Sequence, residues 1–249
     1  MSDIRSEVAC YYDLNPEPPA DIGFYQALVP SPQASVLELG CGTGRVLIPL
    51  AQSCGFIHGI DSSQAMLDIC REKLRRSGNA RVTLGDICDF DLGRRFDLII
   101  APYRVLQNLE TDAQLDGLFR CVRAHLSPRA TCVLNVFRPK WQNLEREWRR
   151  DGETFNWEVP VEGGRVTCHD QRRHLNPERR ILYPELIWRR YREDELVDEA
   201  VLKIAMRCYD PDEFETLITN RGFRIVNRWG GYAGEAYGEG PELVLQFGK

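Results

Sequence analysis

Three groups of residues in this sequence have the types and spacing to do chemistry. Glu38-Leu39-Gly40-Cys41-Gly42-Thr43-Gly44 sets alternating glycines directly after an apolar run. Glycine there lets the backbone approach a ligand closely and aims N–H groups at the start of a helix toward anionic or polar atoms. Asp61 ends the next apolar run, where a carboxylate can accept both hydroxyls of a ribose. Gly85-Asp86-Ile87 ends a third, offering an exocyclic amine a carboxylate and a ring nitrogen a backbone N–H. A glycine loop alone can be merely a tight turn. Two acids in step with it, at the ends of successive strands, ask for one adenosine-bearing ligand laid across all three.

Such a site needs a scaffold that gathers strand ends. Val36–Leu39 reads as a buried strand, and the glycine loop turns from it into a helix running to about Cys54. Phe56–Ile60 is a second strand. Ser62 or Ser63 caps the next helix, where Met66, Cys70 and Leu74 share one face. Arg81–Leu84 and Phe96–Ala101 are further strands. Thr111 and Gln114 form a capping box for a helix that buries Leu115, Leu118, Phe119, Val122 and Leu126, and Pro128 stops it before a strand over Ala130–Phe137. Alternation of this kind predicts a parallel sheet with helices on both faces.

From Arg138 the pattern changes to aromatic, highly charged stretches of period two: Glu153–Val161, Arg165–His174 and Arg180–Tyr191. Glu162-Gly163-Gly164-Arg165 and Asn176-Pro177-Glu178 are turn signals between them. Leu196–Tyr209 reads as another strand, although its spacing also suits a helix. The first pattern then resumes, with Asp210 as cap, Pro211 at the first helical position, Glu213 completing the box, and strands over Phe223–Trp229 and Glu242–Phe247. The expected fold is α/β: a Rossmann-like, seven-stranded, mostly parallel sheet with helices on both faces and an inserted antiparallel β lid. Residues 1–139 and 208–249 form the core and 140–207 the lid.

Val36–Arg45, Gly59-Ile60-Asp61-Ser62-Ser63, Gly85-Asp86-Ile87 and Phe96–Pro102 resemble, in order and spacing, the motifs of class I S-adenosylmethionine-dependent methyltransferases. The resemblance covers about Val36–Phe137 and Asp210–Gly248. It implies S-adenosyl-L-methionine as cofactor and S-adenosyl-L-homocysteine as product. By that resemblance Gly40, Cys41, Gly42 and Gly44 pass beneath the methionine and ribose, and Glu38 orients the loop and favours the cationic end of the methionine. Asp61, with Ser62 beside it, holds the ribose, Met66 packs on the adenine, and Asp86 with Ile87 reads its edge. Ala101 and Pro102 line the floor near the sulfonium. Tyr11-Tyr12-Asp13 resembles the N-terminal segment that closes over the cofactor in small-molecule members, so Tyr11 or Tyr12 is placed at the methionine carboxylate. A nicotinamide dehydrogenase uses the same fold, but its loop runs G-x-G-x-x-G, which this one does not, and it has no use for Asp86.

For the methyl acceptor, Tyr103, Arg104 and Gln107 follow the fourth strand and are candidates to orient it. The ordinary alternative is that Tyr103 packs and Arg104 solvates a loop. The segment lacks the Asn/Asp-Pro-Pro-Tyr run of enzymes that methylate base amino groups. In this family an antiparallel insertion at this place commonly lids the acceptor pocket, making Trp157, His169, Tyr183, Glu185 and Trp188 lid candidates. His169 or His174 is of the residue type that suits a general base near neutral pH. An exposed strand histidine is the plainer outcome. The expected function is methyl transfer to a small-molecule N or O acceptor. A non-catalytic S-adenosylmethionine-binding protein, or a methyltransferase of RNA or protein, are the alternatives.

Composition narrows the setting. The chain has 249 residues, 43% hydrophobic and 28% charged, with a formal net charge of −5. That length is ample for a sizeable core. Arg138–Arg192 carries +4, leaving −9 elsewhere, so an acidic core holds a basic lid. The acidic balance argues against nucleic acid as a partner, and no run approaches the roughly 20 apolar residues of a membrane helix. Nine scattered cysteines, none in C-x-x-C, fit reduced thiols in a cytoplasmic protein rather than a disulfide or zinc scaffold. No metal is expected, and two copies could pair through an edge of the lid.

Overall fold

The computed structural model describes residues 3, 5–75, 77–138, 144 and 152–249. The apolar runs of the first half form five strands: β1 (Ser35–Leu39), β2 (Phe56–Asp61), β3 (Ala80–Leu84), β4 (Phe96–Ala101) and β5 (Leu126–Phe137). All pair in parallel, β3 to β2 to β1 to β4 to β5. The chain then builds an antiparallel sheet from β6 (Glu153–Val161), β7 (Gly164–Asn176), β8 (Ile181–Arg192), β9 (Glu195–Lys203) and β10 (Met206–Arg207). It returns to the first sheet through β11 (Arg224–Trp229) and β12 (Glu242–Gly248), the latter antiparallel to both β5 and β11. The seven-stranded order is β11-β12-β5-β4-β1-β2-β3. The Rossmann-like α/β sheet and its antiparallel insertion are thus as expected. The upstream border drawn at 139/140 lies outside the described residues.

Helices cover both faces because each carries one apolar stripe. On one side α4 (Asp112–His125) and α5 (Pro211–Thr219) bury Leu115, Leu118, Phe119, Phe214 and Ile218 against β4, β5 and β12. On the other, α1 (Ile22–Ala27), α2 (Leu47–Leu50) and α3 (Gln64–Leu74) bury Tyr25, Leu47, Leu50, Leu67 and Cys70. Between them Leu98, Ile99 and Ile100 of β4 are completely buried. Each such side chain contributes about 1.5–3 kcal/mol relative to exposure, which makes β4 a rigid central plank.

Local signals set several ends. Ser63, not Ser62, caps α3, its hydroxyl accepting from the Met66 N–H at 3.2 Å. Thr111 and Gln114 close the capping box of α4, and Asp210 with Glu213 that of α5, where Pro211 takes the first position. Three expectations change. The helix expected to run to Cys54 is four residues long, because after Pro49 the chain tightens into i→i−3 bonds from Gln52 and Ser53. Strand β5 starts at Leu126, ahead of Pro128: the register jumps from Phe96–Leu126 to Leu98–Thr131, and the proline sits in that irregularity, where no ladder donor is required. The ambiguous stretch after Leu196 is strand, paired along β8.

One face of the antiparallel sheet, with Val166, Cys168, Trp188, Ala200 and Leu202, packs on Val8, Ala9 and Tyr11 of the N-terminal segment and on Met66 of α3. The lid's cations are largely paired: Arg165 with Glu158 and Asp194, Arg189 with Glu153 and Glu199, Arg180 with Asp210 and Glu213. Among the described residues no helix is long and apolar enough to cross a membrane. Replacing Thr111 with alanine removes one side of the α4 capping box, and urea denaturation is expected to show a loss of about 1 kcal/mol.

Candidate functional site

The chain order reverses between β1 and β4: from β1 it steps outward through β2 and β3, then crosses back to β4 on the other side. Open α/β sheets bind ligands in the crevice at the carboxyl ends of the strands flanking such a point. The glycine loop leaves β1 there, and Ala101-Pro102-Tyr103-Arg104 leaves β4.

Gly40, Gly42 and Gly44 all have positive φ, at 70°, 52° and 88°. A Cβ on Gly40 would lie 2.6 Å from Val105 Cγ2, so the short 3₁₀ turn Val105–Asn108 sits directly on the loop. A Cβ on Gly42 would meet nothing within 4 Å, so the loop's middle opens onto free space. The N–H groups take an unexpected course. Those of Gly40 and Cys41 donate to the Ile60 carbonyl at 2.7 and 3.0 Å, that of Gly44 to the Cys41 carbonyl at 2.9 Å, and that of Gly42 to Asp61 Oδ2 at 2.8 Å. The loop therefore offers a ligand a close, bare surface rather than these donors, and the buried Cys41 thiol packs inward.

Asp61 closes β2 and is nearly buried. Its Oδ2 holds Gly42, and its Oδ1 accepts from the Ser63 N–H at 2.8 Å. A carboxylate has about four acceptor positions, so two hydroxyls can still be received. Ser62 next to it is exposed. Asp86 is also exposed, its Oδ1 accepting from the Cys88 N–H at 2.8 Å, with Ile87 half-buried between them. Ala101 and Pro102 are buried at the end of β4. Glu38 is buried in β1, its Oε2 lacking a hydrogen-bond partner among the described residues. Burial pushes its carboxyl well above the usual range, opposed by the Arg45 guanidinium and reinforced by Asp21 and Asp61. Arg45 itself is held by Asp21 at 2.5 and 2.9 Å.

Several expected site residues lie elsewhere. Tyr11 faces the lid: its hydroxyl donates to Asp198 and its ring stacks on Trp188 at 6.3 Å. Burial and the Asp198 carboxylate push its pKa up to about 12. Its neighbour Tyr12 packs at the margin of the same apolar cluster, and burial pushes its phenol up, with Arg5 opposing and Tyr103 and Asp61 adding to the shift. Met66, expected to pack on the adenine, is fully buried with Tyr11 between the N-terminal segment and the lid. Arg104 is engaged by Glu242, and Gln107 is fully buried, its amide donating to the Arg207 carbonyl at 2.9 Å and accepting from the Phe137 N–H at 2.6 Å. Both brace the turn; Gln107 is closed off, whereas the Arg104 side chain stays 35% exposed. His169 pairs with Ile187 and Phe155, on the face of the lid opposite Cys168 and Trp188, with its Nε2 3.1 Å from Thr167 Oγ1. It therefore faces away from the N-terminal segment. Tyr103, 44% exposed, keeps its place at the crevice, with the Arg45 guanidinium 5.5 Å from its ring centroid.

Other contributors had no role assigned from the sequence. Asp13 accepts from Thr43 Oγ1 at 2.7 Å and from Lys73 Nζ at 2.5 Å, tying the N-terminal segment to the glycine loop and to α3. Asp3 accepts from Ser63 Oγ at 2.9 Å at the start of the same helix. A cavity of about 300 Å³ lies between the lid and the segment after β4, lined by Glu110, His174, Tyr183, Glu185 and Lys203. The Tyr183 hydroxyl donates to Glu110 at 2.9 Å, and the His174 ring stacks on Tyr183 at 5.2 Å. Trp157 and Trp188 belong to the lid's packed face. Among the described residues no group of three or more His, Cys, Asp or Glu is placed to hold a metal ion.

Residues 36–129, which carry the loop and both acids, match the family model described as a methyltransferase domain. This part of the chain is similar to methyltransferase domains. Among curated relatives, a dTDP-3-amino-3,6-dideoxy-alpha-D-glucopyranose N,N-dimethyltransferase of Streptomyces fradiae is 37% identical over 108 residues, covering 43% of this chain and 40% of the relative. A dTDP-3-amino-3,4,6-trideoxy-alpha-D-glucopyranose N,N-dimethyltransferase of Streptomyces venezuelae is 30% identical over 131 residues, covering 50% and 54%. The chain thus matches only about half or less of the length of these relatives. Among solved structures, the CcbJ methyltransferase from Streptomyces caelestis superposes with a TM-score of 0.79 at 27% identity, over 99% of this chain and 97% of that one. The likeness there includes the lid.

Within this core, Glu38 has a testable electrostatic signature. Its folded-state pKa is raised, so its proton favours the native state, and stability falls as pH rises from the unfolded value of about 4.3 toward the folded one. Glu38→Gln removes that loss. Thermal melts of the ligand-free protein from about pH 5 to about pH 8 are expected to show the variant gaining on the wild type as pH increases.

Proposed function

We propose that this protein is an S-adenosylmethionine-dependent methyltransferase that methylates the amino nitrogen of a small, sugar-sized molecule in a cytoplasmic setting. The observation that carries the reading is the crevice itself. Gly42 opens onto free space, Asp61 stands beside it with acceptor capacity to spare, and Glu38 keeps a buried carboxylate oxygen unmatched. These fit a ligand with a ribose and a cationic amino acid end. Asp61 would hold the ribose, Asp86 and Ile87 the adenine, Glu38 the charge of the methionine portion, and Tyr12 would cover it from the N-terminal side. When bound, the cofactor supplies an electrophilic methyl group on a sulfonium.

The protein's part in such an in-line displacement is alignment and exclusion of water. Pro102 and Tyr103 wall the crevice at the end of β4, while the N-terminal segment closes it through Asp13 and Asp3. The attacking amine must be neutral, with its lone pair free. The cavity beside Glu110, Tyr183 and Glu185 is near the lower end of ligand-pocket sizes, and its carboxylates would draw in the amine as its cation and receive the proton it must shed before attack. The named relatives act on amino sugars, which supports an amine over a hydroxyl. Free thiols throughout support the cytoplasmic setting, and Phe155, 58% exposed on the outer strand β6, supports pairing of two copies along that edge.

Titration calorimetry with S-adenosylhomocysteine is expected to show tight binding, weakened at least about tenfold by Asp61→Ala and by Asp86→Ala, since each removes a charged acceptor. Unchanged affinity in both would undo the site. A methyl-transfer screen is expected to find turnover with small amines, amino sugars first. Activity confined to RNA or protein would overturn the acceptor class, and binding without any turnover would replace the enzyme by a binding protein.

A further inference from the structure

Tyr103 and Arg104 are consecutive non-glycine residues in the left-handed region, with φ 57° and 66°. Side chains rarely adopt that conformation, and it persists only where the surroundings over-determine it. Here the surroundings are identifiable. The Arg104 N–H donates to Asn135 Oδ1 at 3.1 Å. Its guanidinium donates twice to Glu242 Oε1, from Nε at 3.0 Å and Nη2 at 2.5 Å, and lies 4.9 Å from the Phe137 ring centroid. Asn135 Nδ2 closes the circuit by donating to Glu242 Oε2 at 2.9 Å. Asn135 and Glu242 are buried, on neighbouring strands β5 and β12, and they stand 31 and 138 residues from Arg104 in sequence.

A buried carboxylate and amide on the two strands beyond β4 are an elaborate way to hold a loop that needs only to turn. Their effect is specific. With Val105 seated on Gly40 and Gln107 locked to β5, the turn is pinned on both sides of Tyr103. The phenol is left as its exposed side chain, between the guanidiniums of Arg45 and Arg104 at 5.5 and 5.9 Å from the ring centroid. We propose that Asn135 and Glu242 are positioning residues for methyl transfer: acting through Arg104, they hold the Tyr103 ring at the mouth of the crevice as the wall against which the acceptor lines up. This rests on the methyltransferase reading above.

The test is a double-mutant cycle on acceptor kinetics. Tyr103→Ala and Glu242→Gln are each expected to raise the acceptor KM about tenfold, while S-adenosylhomocysteine affinity stays within about twofold. Combining them is expected to add nothing beyond Tyr103→Ala. A merely structural Glu242 would multiply the two losses, and that outcome, or a wild-type KM in Glu242→Gln, overturns the proposal. Arg104→Lys, at a partly exposed position, keeps the charge but loses the forked contact. It is expected to give the same non-additivity, and it serves if Glu242→Gln fails to fold. Should the wild type turn over no amine, the methyltransferase reading fails first. Amide hydrogen exchange across residues 103–109 then decides this one: faster exchange in the folded variant supports the restraint, and unchanged exchange ends it.

Discussion

The Asp61 carboxylate bridges two backbone segments, the glycine loop and the start of α3. One oxygen takes the N–H of Gly42 and the other that of Ser63, each at 2.8 Å. The first bond holds the glycine loop in its left-handed course, and the second fixes the start of α3, whose own cap, Ser63, then satisfies Met66. A charge-assisted bond to a backbone N–H is stronger than a neutral one, and near-complete burial shields both from competing water. Lys73, near the end of α3, can reach back to Asp13 and the Thr43 carbonyl only because that helix leaves β2 at a fixed place and angle. Loop, helix and N-terminal segment therefore inherit their positions from one side chain at the end of one strand.

Much of this was legible from residue order. Period and capping located nearly every strand and helix, because their signals are local: Ser63, Thr111 with Gln114, and Asp210-Pro211 with Glu213 each act within four residues. The glycine loop and its two acids were legible because a ligand's shape imposes a spacing along the chain. What stayed hidden depends on partners far apart in sequence. That the loop N–H groups turn inward follows from Ile60 and Asp61 standing beneath them, a consequence of β1–β2 register. That Arg104 and Gln107 brace the turn follows from Glu242, Phe137 and Arg207. Nothing in Arg104 itself marks it as paired. Tyr11 and Tyr12 are chemically the same, and it is Tyr11 whose ring stacks on Trp188, a partner far away in sequence.

The basic character of the insertion also reads differently once folded. Among the described residues, Arg165, Arg180 and Arg189 each face acids of neighbouring strands, turns or the core, so part of the excess charge is spread over ion pairs. Exposed pairs of this kind add little stability each, about 0–1 kcal/mol. They do keep an antiparallel sheet with exposed edges hydrated and in register.

The N-terminal segment is gripped on two sides by different forces. Tyr11 and Val8 are buried in the lid, whereas Asp13 and Asp3 bond to the glycine loop and to the head of α3. Displacing the segment as a whole would break both sets of contacts together, aromatic burial on the lid side and carboxylate hydrogen bonds on the core side, so its position is coupled to that of the lid.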